Sequence, residues 1–418
     1  MFQGARMAFA ASLLFAVGSA RADETIRWLY IEVNPAQVAV WKDAAQQFEA
    51  AHPGVKVDMQ YLENEAYKAK LTTMLQSRDR PSMFYSWAGG VLKAQVEAGV
   101  LADLTGPTRG YIDQINPVAL DAFKVDGKLY GVPQTITDVG FFYNKDLFAK
   151  AGVDAGSVKT WDDLLGAVKT LKAAGITPLT AGGGDKWPLS LFYSYLVLRE
   201  GGKPAMDAAM ASKDGGFTNP VFVEAGRQFK RLIDLQPFQN GMLGMKNGSA
   251  IGLFADGRVA MTLAISTVYG QQSSIAADKK GLSDAQMGWI DFPTVAGGKG
   301  APTDTLGGIN GWIVSKNAPL QTVNFIEAFV SKDVQSKLAA AGYIVPIIRS
   351  AESSITSPFL RNVADKLDHS TYHQNFFDQV LGPSVGRTVN DSVAEIAGGS
   401  MTPEQAAQAI DTAWKQGN

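Results

Sequence analysis

Residues 130–148, with the sequence YGVPQTITDVGFFYNKDLF, constrain the fold more than any other stretch of the chain. A Gly-Val-Pro turn is followed by an apolar extended run over residues 139–143, then by two polar residues and a short helical start. Pro133 has no backbone N–H to donate and Gly131 loosens the backbone, so this stretch is a poor central strand. It predicts instead a crossover between two lobes.

Strand and helix patterns alternate on both sides of this crossover. Before it, strand-like runs cover residues 25–31, 55–61 and 82–87, with amphipathic helices between them. After it, a helix that Thr160 can cap precedes further extended runs and helices. This alternation indicates an α/β protein in which each lobe is a mostly parallel sheet flanked by helices. Pro293 marks a second crossover, so we expect two lobes built from interleaved segments of the chain.

The N-terminus has the pattern of a secretory signal peptide. Arg6 supplies a positive charge, residues 7–17 form an apolar run of 11 residues, and the A-R-A sequence at 20–22 fits a cleavage site. The sequence therefore predicts cleavage after Ala22 and a mature chain that begins at Asp23. A transmembrane anchor is the alternative, but this run is too short to cross roughly 30 Å of hydrocarbon.

The absence of cysteine and the net charge limit the cellular locations and the classes of partner that this protein can have. The chain has no cysteine, which excludes disulfides and an acylated-cysteine lipid anchor; with the signal peptide, this favours the periplasm. Removing residues 1–22 lowers Lys plus Arg from 38 to 36 against 40 acidic residues, so the mature charge is about −4. A nearly neutral surface argues against nucleic acid and anionic lipid as partners.

Sequence motifs for catalysis or for metal binding are weak. His369 and His373 are four residues apart, but the glutamate of the zinc motif and a third ligand are missing. The glycines at residues 182–184 lead to Trp187 where a phosphate loop needs Ser or Thr. A carboxylate pair for glycoside hydrolysis stays open among 40 acidic residues, but no motif singles one out. We therefore expect a protein that is not an enzyme and uses no cofactor or metal.

The order of several short motifs resembles one protein family. These motifs are Q-x-F-E-x-x-H-P-G from residue 46, Y-G-V-P…Y-N-K-D-L-F within residues 130–148, G-R-V-A-M from 257, G-G-x-x-G-W from 307 and M-T-P-E-Q-A-A from 401. Together they resemble the extracellular solute-binding proteins of ABC importers, in the sugar-binding group that includes maltose-binding protein. The resemblance spans nearly the whole mature chain.

The resemblance implies a fold and a function. The fold is the two-lobed periplasmic binding protein fold, with residues 23–135 and 294–345 in lobe I and residues 136–293 and 346–418 in lobe II. The function is that of a monomeric receptor that captures a sugar, which we expect to be an oligosaccharide, by hinge closure and delivers it to membrane ABC permease subunits. The alternatives are a receptor for a polyol, polyamine or glycerol phosphate, and a periplasmic carbohydrate-active enzyme.

Sugar recognition needs flat aromatic surfaces for C–H faces, and amides, carboxylates or cations for hydroxyls. In open α/β sheets such groups collect at the carboxyl ends of strands. Trp87 ends a predicted strand, with the core as its alternative, and Trp187 and Asp185 lie in a loop of the kind that stacks on sugar in the family. Thr137 and Asp138 interrupt the crossover strand, where the carboxylate either caps a turn or faces the cleft.

Further candidates lie in the C-terminal half and after other strands. Gly308, Asn310 and Trp312 occupy a stretch that resembles the family's glycine-rich return strand beside the cleft, although Trp312 also fits a core. Asp378 and Gln379 resemble the family stretch D-Q-x-L-x-P-x-V-G and could bind hydroxyls, with helix capping as the alternative for Asp378. Three weaker candidates follow other predicted strands: Glu32, Asn34 and Tyr269.

Overall fold

The computed structural model describes residues 24–108 and 110–417. The predicted signal peptide and the cleavage after Ala22 lie outside these residues. The strands, in chain order, are β1 (Glu24–Tyr30), β2 (Val55–Tyr61), β3 (Met83–Trp87), β4 (Lys124–Val125), β5 (Lys128–Leu129), β6 (Gly131–Ile136), β7 (Val139–Asn144), β8 (Leu179–Thr180), β9 (Met261–Ile265), β10 (Met287–Asp291), β11 (Thr305–Gly307), β12 (Ile309–Val314), β13 (Val345–Pro346) and β14 (His373–Asn375).

The α-helices are α1 (Pro35–Ala51), α2 (Asn64–Gln76), α3 (Gly90–Glu97), α4 (Pro117–Asp121), α5 (Lys145–Ala151), α6 (Trp161–Ala173), α7 (Trp187–Met210), α8 (Pro220–Asp234), α9 (Asn247–Ala255), α10 (Val268–Ile275), α11 (Gln321–Phe329), α12 (Lys332–Ala340), α13 (Pro358–Asp368), α14 (Phe377–Val380), α15 (Gly382–Gly398) and α16 (Pro403–Gly417). Helix α7 is kinked at Gly202, which has a φ of 62°. Within the described residues, no helix combines the length and apolar character that crossing a membrane requires.

Local sequence explains where the helices begin. The Asn34 side chain accepts hydrogen bonds from the first backbone N–H groups of α1, and Pro35 occupies the first turn, where the missing N–H costs nothing. Thr160 and Asp163 form a reciprocal capping box at the start of α6. The predicted cap at Thr160 is therefore confirmed.

The first lobe is built on a six-stranded sheet in the order β13-β6-β12-β3-β1-β2. Its core contains a cluster of buried aromatic rings centred on Trp28, whose ring centroid lies 5.5 Å from Trp41, 5.2 Å from Trp312 and 4.6 Å from Phe329. Helices α1 and α11 supply Trp41 and Phe329 from one side of the sheet. We call this sheet and its helices the first lobe.

The second lobe is built on a four-stranded sheet in the order β10-β7-β9-β8. Its core packs Phe141 of β7 against Phe192 of α7 and against Phe292, which stacks in turn on Trp161 of α6 and Tyr195 of α7. Helices α8, α15 and α16 complete this core. Two short pairs, β11–β14 and β4–β5, stand apart from both large sheets.

The two-lobed α/β architecture is confirmed, but the expectation of mostly parallel sheets is wrong. In the first lobe only β1–β2 and β1–β3 are parallel, and in the second lobe only β8–β9 is. The pairings of β12 with β3 and β6, of β13 with β6, and of β7 with β9 and β10 are antiparallel. Parallel strands need a covering crossover connection, whereas a strand that returns from the other lobe can enter a sheet in either direction.

Pro133 lies inside a strand, not in a crossover as its sequence context predicts. It belongs to β6, which has β12 on one side and the two-residue β13 on the other. The strand tolerates the proline because β13 pairs only with Thr135 and Ile136, and because the β12 pairing shifts register between Asn310 and Gly311. The chain changes lobes after Ile136, in the short link between β6 and β7.

Candidate functional site

A cavity of about 680 Å³ lies between the two lobes. The first lobe contributes residues that follow β1 and β2, the end of β3 and the start of β12; the second lobe contributes the end of β9, the first turns of α7 and α9, and α14. Crevices at strand ends are the usual ligand sites of open α/β folds, and this volume falls within the range of small-molecule sites. Six of the predicted site residues line this cavity: Trp87, Asp185, Trp187, Asn310, Asp378 and Gln379.

Trp87 is shared between the cavity wall and the core. It ends β3, and its side chain is only 7% exposed. The rings of Tyr67 and Tyr85 meet it edge-on at 5.8 and 5.5 Å, and the Lys68 ammonium lies 5.6 Å from its ring centroid. The indole is therefore held rigidly, with the remaining exposed edge available to the cavity.

Asp185 reaches the cavity because a glycine loop packs closely on the start of α9. A Cβ added at Gly182 would lie 2.3 Å from Asn247 Cα, so the approach requires glycine. The Asp185 carboxylate accepts hydrogen bonds from Lys246 Nζ at 2.6 Å and from the backbone N–H of Asn247 at 2.7 Å. A carboxylate at a helix N-terminus is favourable, and here it also fixes Lys246 at the cavity wall.

Three buried polar side chains of the cavity have hydrogen-bonding atoms without a partner among the described residues. These atoms are Ser190 Oγ, Asn310 Oδ1 and Gln379 Oε1, on residues that are 5%, 8% and 7% exposed. A buried polar atom left unpaired costs about 1–3 kcal/mol. Each atom can accept a hydrogen bond, so a ligand that donates hydroxyl protons would relieve this cost.

The lobes also contact each other at one edge of the cavity through Lys68 and Asp378. Lys68 Nζ of α2 lies 3.5 Å from Asp378 Oδ2 of α14 and 3.4 Å from Glu65 Oε1. Burial alone would lower the pKa of Lys68, but the two carboxylates outweigh this effect and raise it. Asn390 Nδ2 donates a further hydrogen bond to Asp378 at 3.3 Å, and α14 has no side-chain cap, so the alternative that Asp378 caps a helix is wrong.

Glu32 and Asn34 form contacts between the lobes and do not line the cavity; their neighbours Ile31 and Val33 line it instead. The Asn34 side chain donates to the backbone oxygen of Gly270 at 3.2 Å, and Gln271 Nε2 lies 3.4 Å from both oxygens of Glu32. Burial raises the pKa of Glu32, opposed by the backbone N–H groups of Asn34 and Val33.

Thr137 and Asp138 form the link between β6 and β7, and Gly308 forms the link between β11 and β12. We call these two links the hinge; they do not line the cavity. Thr137 Oγ1 donates to the backbone oxygen of Gly308 at 3.1 Å and accepts from the Gly308 N–H at 2.9 Å. Asp138 is fully buried and pairs with Lys366 Nζ of α13 at 2.8 Å, and the same ammonium lies 2.8 Å from Asp291 Oδ1. Asp138 therefore neither caps a turn nor faces the cleft.

The charge balance at the hinge keeps the lysine ionised. Burial alone would lower the pKa of Lys366, but Tyr195, Asp138 and Asp291 outweigh it and raise the pKa above its usual value. Burial raises the pKa of Asp138, although the Lys366 ammonium opposes this shift. Such a pair stays favourable only while both partners are present.

The predictions that Trp312 and Tyr269 are site residues are also wrong, because neither side chain lines the cavity. Trp312 is fully buried in the aromatic cluster of the first lobe, because it lies two residues, about 7 Å, further along β12 than Asn310 at the cavity. Tyr269 contacts Asp284 through its hydroxyl at 3.0 Å and packs on Phe359 with ring centroids 4.9 Å apart. Its ring faces the first lobe at Gly342 and is not part of the cavity wall.

Comparison with known proteins identifies the family. A family model described as bacterial extracellular solute-binding protein matches residues 34–336, which is well over half of the chain. The chain belongs to this family. The family is extracellular and its members are binding proteins, so this solute-binding protein acts after export.

Individual relatives agree with this assignment. A binding protein of Brucella abortus (strain 2308) is 26% identical over 304 residues, which are 71% of this chain and 70% of that protein. A solved structure from work on xylan utilisation by Caldanaerobius polysaccharolyticus superposes with a TM-score of 0.85 at 25% identity, over 93% of this chain and 99% of that one. A chitin oligosaccharide binding protein gives 0.85 at 24% identity, over 94% and 99%, and shows the fold.

The cavity of this solute-binding protein contains residues that sequence reasoning missed. Glu63 and Asn64 follow β2 as Trp87 ends β3, so the strand-end rule could have found them. Ser190 and Ser194 are four residues apart in the apolar first turns of α7, which places them on one helix face. Lys246 carries no such signal in the sequence.

The two histidines of the rejected zinc motif lie in different elements. His369 follows the end of α13 and is exposed, whereas His373 is in β14, with Nδ1 2.9 Å from Thr305 Oγ1. Burial, and to a lesser degree Lys366, lowers the pKa of His373 to about 4. Among residues 24–108 and 110–417, no group of three or more His, Asp or Glu side chains is placed to hold a metal ion.

Proposed function

We propose that this solute-binding protein is the substrate-binding component of an ABC importer and captures a sugar in the cavity between its lobes. The observation that carries the proposal is the combination of aromatic rings and unpaired hydrogen-bond acceptors in one cavity. Trp87, Trp187 and Tyr61 offer flat apolar surfaces, while Asn310 and Gln379 offer amide oxygens. This combination matches the apolar faces and hydroxyl rim of a sugar.

The related proteins support a sugar as the ligand. A multiple sugar-binding protein of Streptococcus mutans is 24% identical over 54% of this chain. The similar structures include proteins described with chitin oligosaccharide, raffinose and maltose. These three ligands have more than one sugar unit, which supports an oligosaccharide here, whereas two other similar structures are described with the single sugars galactopyranose and tagatose.

Capture occurs by closure of the two lobes around the ligand. The lobes touch on both sides of the cavity, through Lys68–Asp378 and through Gln271–Glu32. A ligand that contacts both lobes adds free energy only to the closed form, so it shifts the population towards closure. The closed form is then the state that the membrane permease subunits recognise.

This lobe division differs from the sequence expectation at two boundaries. The boundary near residue 135 is kept, whereas the one near residue 345 moves past Ala351, because Ile347, Ile348 and Ala351 belong to the buried core of the first lobe. Val295 and Leu306 belong to the buried core of the second lobe, so the middle crossover is placed after Gly307 instead of Pro293. Glycine suits this point, because a Cβ at Gly307 would lie 1.8 Å from the backbone oxygen of Thr137.

The proposal also covers the export and the oligomeric state of the protein. The mature protein begins at Asp23 after cleavage behind Ala22, carries no lipid anchor because the chain has no cysteine, and works in the periplasm. It acts as a monomer and as a receptor without catalytic activity.

Receptors for polyols, polyamines or glycerol phosphates are the second class of candidate, and a carbohydrate-active enzyme is the third. A polyamine site needs free carboxylates. The carboxylates of Asp185 and Asp378 at this cavity already pair with Lys246 and Lys68. This pairing favours a neutral ligand over a polycation.

A thermal-shift screen of residues 23–418 tests the proposal. The probes are mono-, di- and trisaccharides, polyols, glycerol phosphate and polyamines, each at saturating concentration. A ligand at a hundred times its Kd adds about 2.7 kcal/mol to the folded state and raises Tm. We expect a rise with one or more sugars; a rise confined to polyols, glycerol phosphate or polyamines overturns the sugar assignment. Product formed on long incubation with oligosaccharides overturns the receptor assignment.

A matched pair of tryptophan variants locates the site. Trp187 and Trp414 are both partly buried against the core of the second lobe, but only Trp187 lines the cavity. We expect Trp187→Ala to weaken binding of the best sugar about tenfold or more, through loss of stacking area. Trp414→Ala should leave the Kd unchanged, as measured by isothermal titration calorimetry. Equal Kd values for both variants and wild type contradict this site.

A further inference from the structure

A second cavity, of about 620 Å³, adjoins the first. It lies between α2 and α3 of the first lobe and α15 and the 184–186 loop of the second lobe. The two cavities share six lining residues, so they are neighbouring compartments of one cleft. The shared residues are Lys68, Trp87, Asp185, Lys246, Asp378 and Gln379.

Lys68 and Asp378 form the partition between the compartments. They come from opposite lobes, and their closest atoms are 3.5 Å apart, which is long for an ion pair. Their side chains keep 31% and 16% exposure, so neither charge is sealed away from water. A pair with this geometry can separate and leave each charge solvated or bonded to a hydroxyl, since such pairs contribute little net free energy.

The lining of the second cavity is balanced in charge. Four cationic and four acidic side chains face it: Lys68, Lys186, Lys246 and Arg387, and Glu65, Asp185, Asp378 and Asp391. Lys186 pairs with Asp391 at 2.6 Å, and Lys246 pairs with Asp185 at 2.6 Å. Leu71, Leu75 and Val91 add apolar surface. A neutral ligand with apolar faces suits such a lining better than an ion does.

Unpaired acceptors mark the passage between the compartments. Gln379 Oε1 has no hydrogen-bond partner among the described residues, and Gln379 is 7% exposed and lines both cavities. Asn390 Oδ1, in the second cavity, is also buried without a partner there. Both atoms can accept a hydrogen bond from a donor on the ligand, and hydroxyl groups are uncharged hydrogen-bond donors.

We propose that the second cavity is an extension of the binding site that takes the outer units of a longer oligosaccharide. A short sugar fills the first cavity and leaves the Lys68–Asp378 partition in place. A longer chain separates this pair, passes Trp87 and donates hydrogen bonds to Gln379 and Asn390. This inference rests on the proposed function and names its substrate class as linear oligosaccharides that span the partition.

Two adjacent threonines of α2 give a matched test. Thr72 and Thr73 are both exposed, but Thr72 lines the second cavity and Thr73 lines neither cavity. Thr72→Trp fills the extension, whereas Thr73→Trp adds the same side chain to the outer surface of the same helix. Kd values are measured by titration calorimetry for wild type and both variants, with linear xylo-, chito- and malto-oligosaccharides of two to six units.

We expect wild type to bind the long members of one series at least about tenfold more tightly than the short members. The Thr72→Trp variant should lose this tighter binding of the long members and keep the wild-type Kd for the short members. The Thr73→Trp variant should have the wild-type Kd for both. Equal Kd values for short and long chains, or a Thr72→Trp variant that keeps the tighter binding of long chains, overturn the extension but leave the proposed function standing. Absence of binding in all three series overturns the extension, while the thermal-shift screen decides the proposed sugar function separately.

Discussion

The two lobes meet in two regions, the cleft edges and the hinge, and the geometry of the contacts differs between them. At the cleft edges the polar contacts are long: Lys68 to Asp378 is 3.5 Å, and Gln271 to Glu32 is 3.4 Å. Water reaches the Lys68–Asp378 pair, because these side chains are 31% and 16% exposed. At the hinge, Lys366 bonds Asp138 at 2.8 Å, and that carboxylate is fully buried.

This difference separates contacts that change on opening from contacts that persist. Long, hydrated contacts contribute little free energy, so the cleft edges can open without a large cost. A short buried pair is strongly destabilising to break from one side, because the remaining charge stays buried and unpaired. The hinge therefore keeps the crossovers in register while the cleft opens and closes.

The largest expected effect is at the hinge lysine. Lys366→Met removes the partner of the buried Asp138 and should lower the free energy of unfolding by about 3–5 kcal/mol. Urea denaturation measures this loss. Lys230→Met is the control, since Lys230 makes two contacts of 2.6 and 2.9 Å to exposed Asp234 and should cost below about 1 kcal/mol. Equal losses for the two variants contradict a special role for the hinge pair.

A second effect depends on pH and arises at His373 in β14, which pairs with β11 beside the hinge. The pKa of His373 falls from an ordinary 6.5 to about 4 in the fold, so between these values the unfolded chain binds a proton that the folded chain does not. The stability that neutral His373 provides is complete above pH 6.5 and is lost as the pH falls towards 4, up to about 3 kcal/mol.

Denaturation at pH 7, 5.5 and 4 measures this dependence in wild type and in His373→Gln. The variant should lose a large part of the decline, whereas His369→Gln, which changes an exposed ring, should decline as wild type does. A His373→Gln curve parallel to wild type would show that this histidine is not the group responsible.

The smallest expected effect is at the cleft edge. Gln271→Ala removes two 3.4 Å contacts to Glu32, but this carboxylate still accepts from the N–H groups of Val33 and Asn34 at 2.9 and 2.7 Å. We expect the unfolding free energy to change by less than about 1 kcal/mol, while the sugar-free protein becomes more open in solution scattering. If Gln271→Ala lowered the free energy of unfolding as much as Lys366→Met does, the cleft edge and the hinge would not differ in the way described above.

The sequence predicts the cavity better at strand ends than at the hinge. Trp87 and Asn310 are near strand ends, and Trp187 starts a helix after a glycine loop, so local signals place all three at the cavity. Thr137 and Asp138 also have a local signal, because they are polar residues that interrupt an apolar stretch of sequence. Their partners Gly308 and Lys366 are more than 170 residues away in the chain, so sequence cannot separate a hinge contact from a ligand contact.

The rest of the fold shows the same limit. The alternation of strands and helices is local, so the two-lobed α/β architecture could be predicted, whereas strand direction depends on how the chain returns between lobes. Trp312 illustrates the problem for single residues: its stretch borders the cleft, but two residues along the strand separate the cavity from the core. Gln271 of α10 and Lys246, the residue before α9, reach the cleft because tertiary packing places these two elements there.

Small-angle X-ray scattering of residues 23–418, with and without the best sugar from the thermal-shift screen, shows whether the lobes close around the ligand. The structure, with its lobes in contact on both sides of the cavity, supplies the reference radius of gyration for the closed form. We expect the sugar-free protein to have a larger radius of gyration than this reference, and saturating sugar to bring it to the reference value. A radius of gyration that stays the same when a tightly bound sugar is added would contradict capture by closure of the lobes.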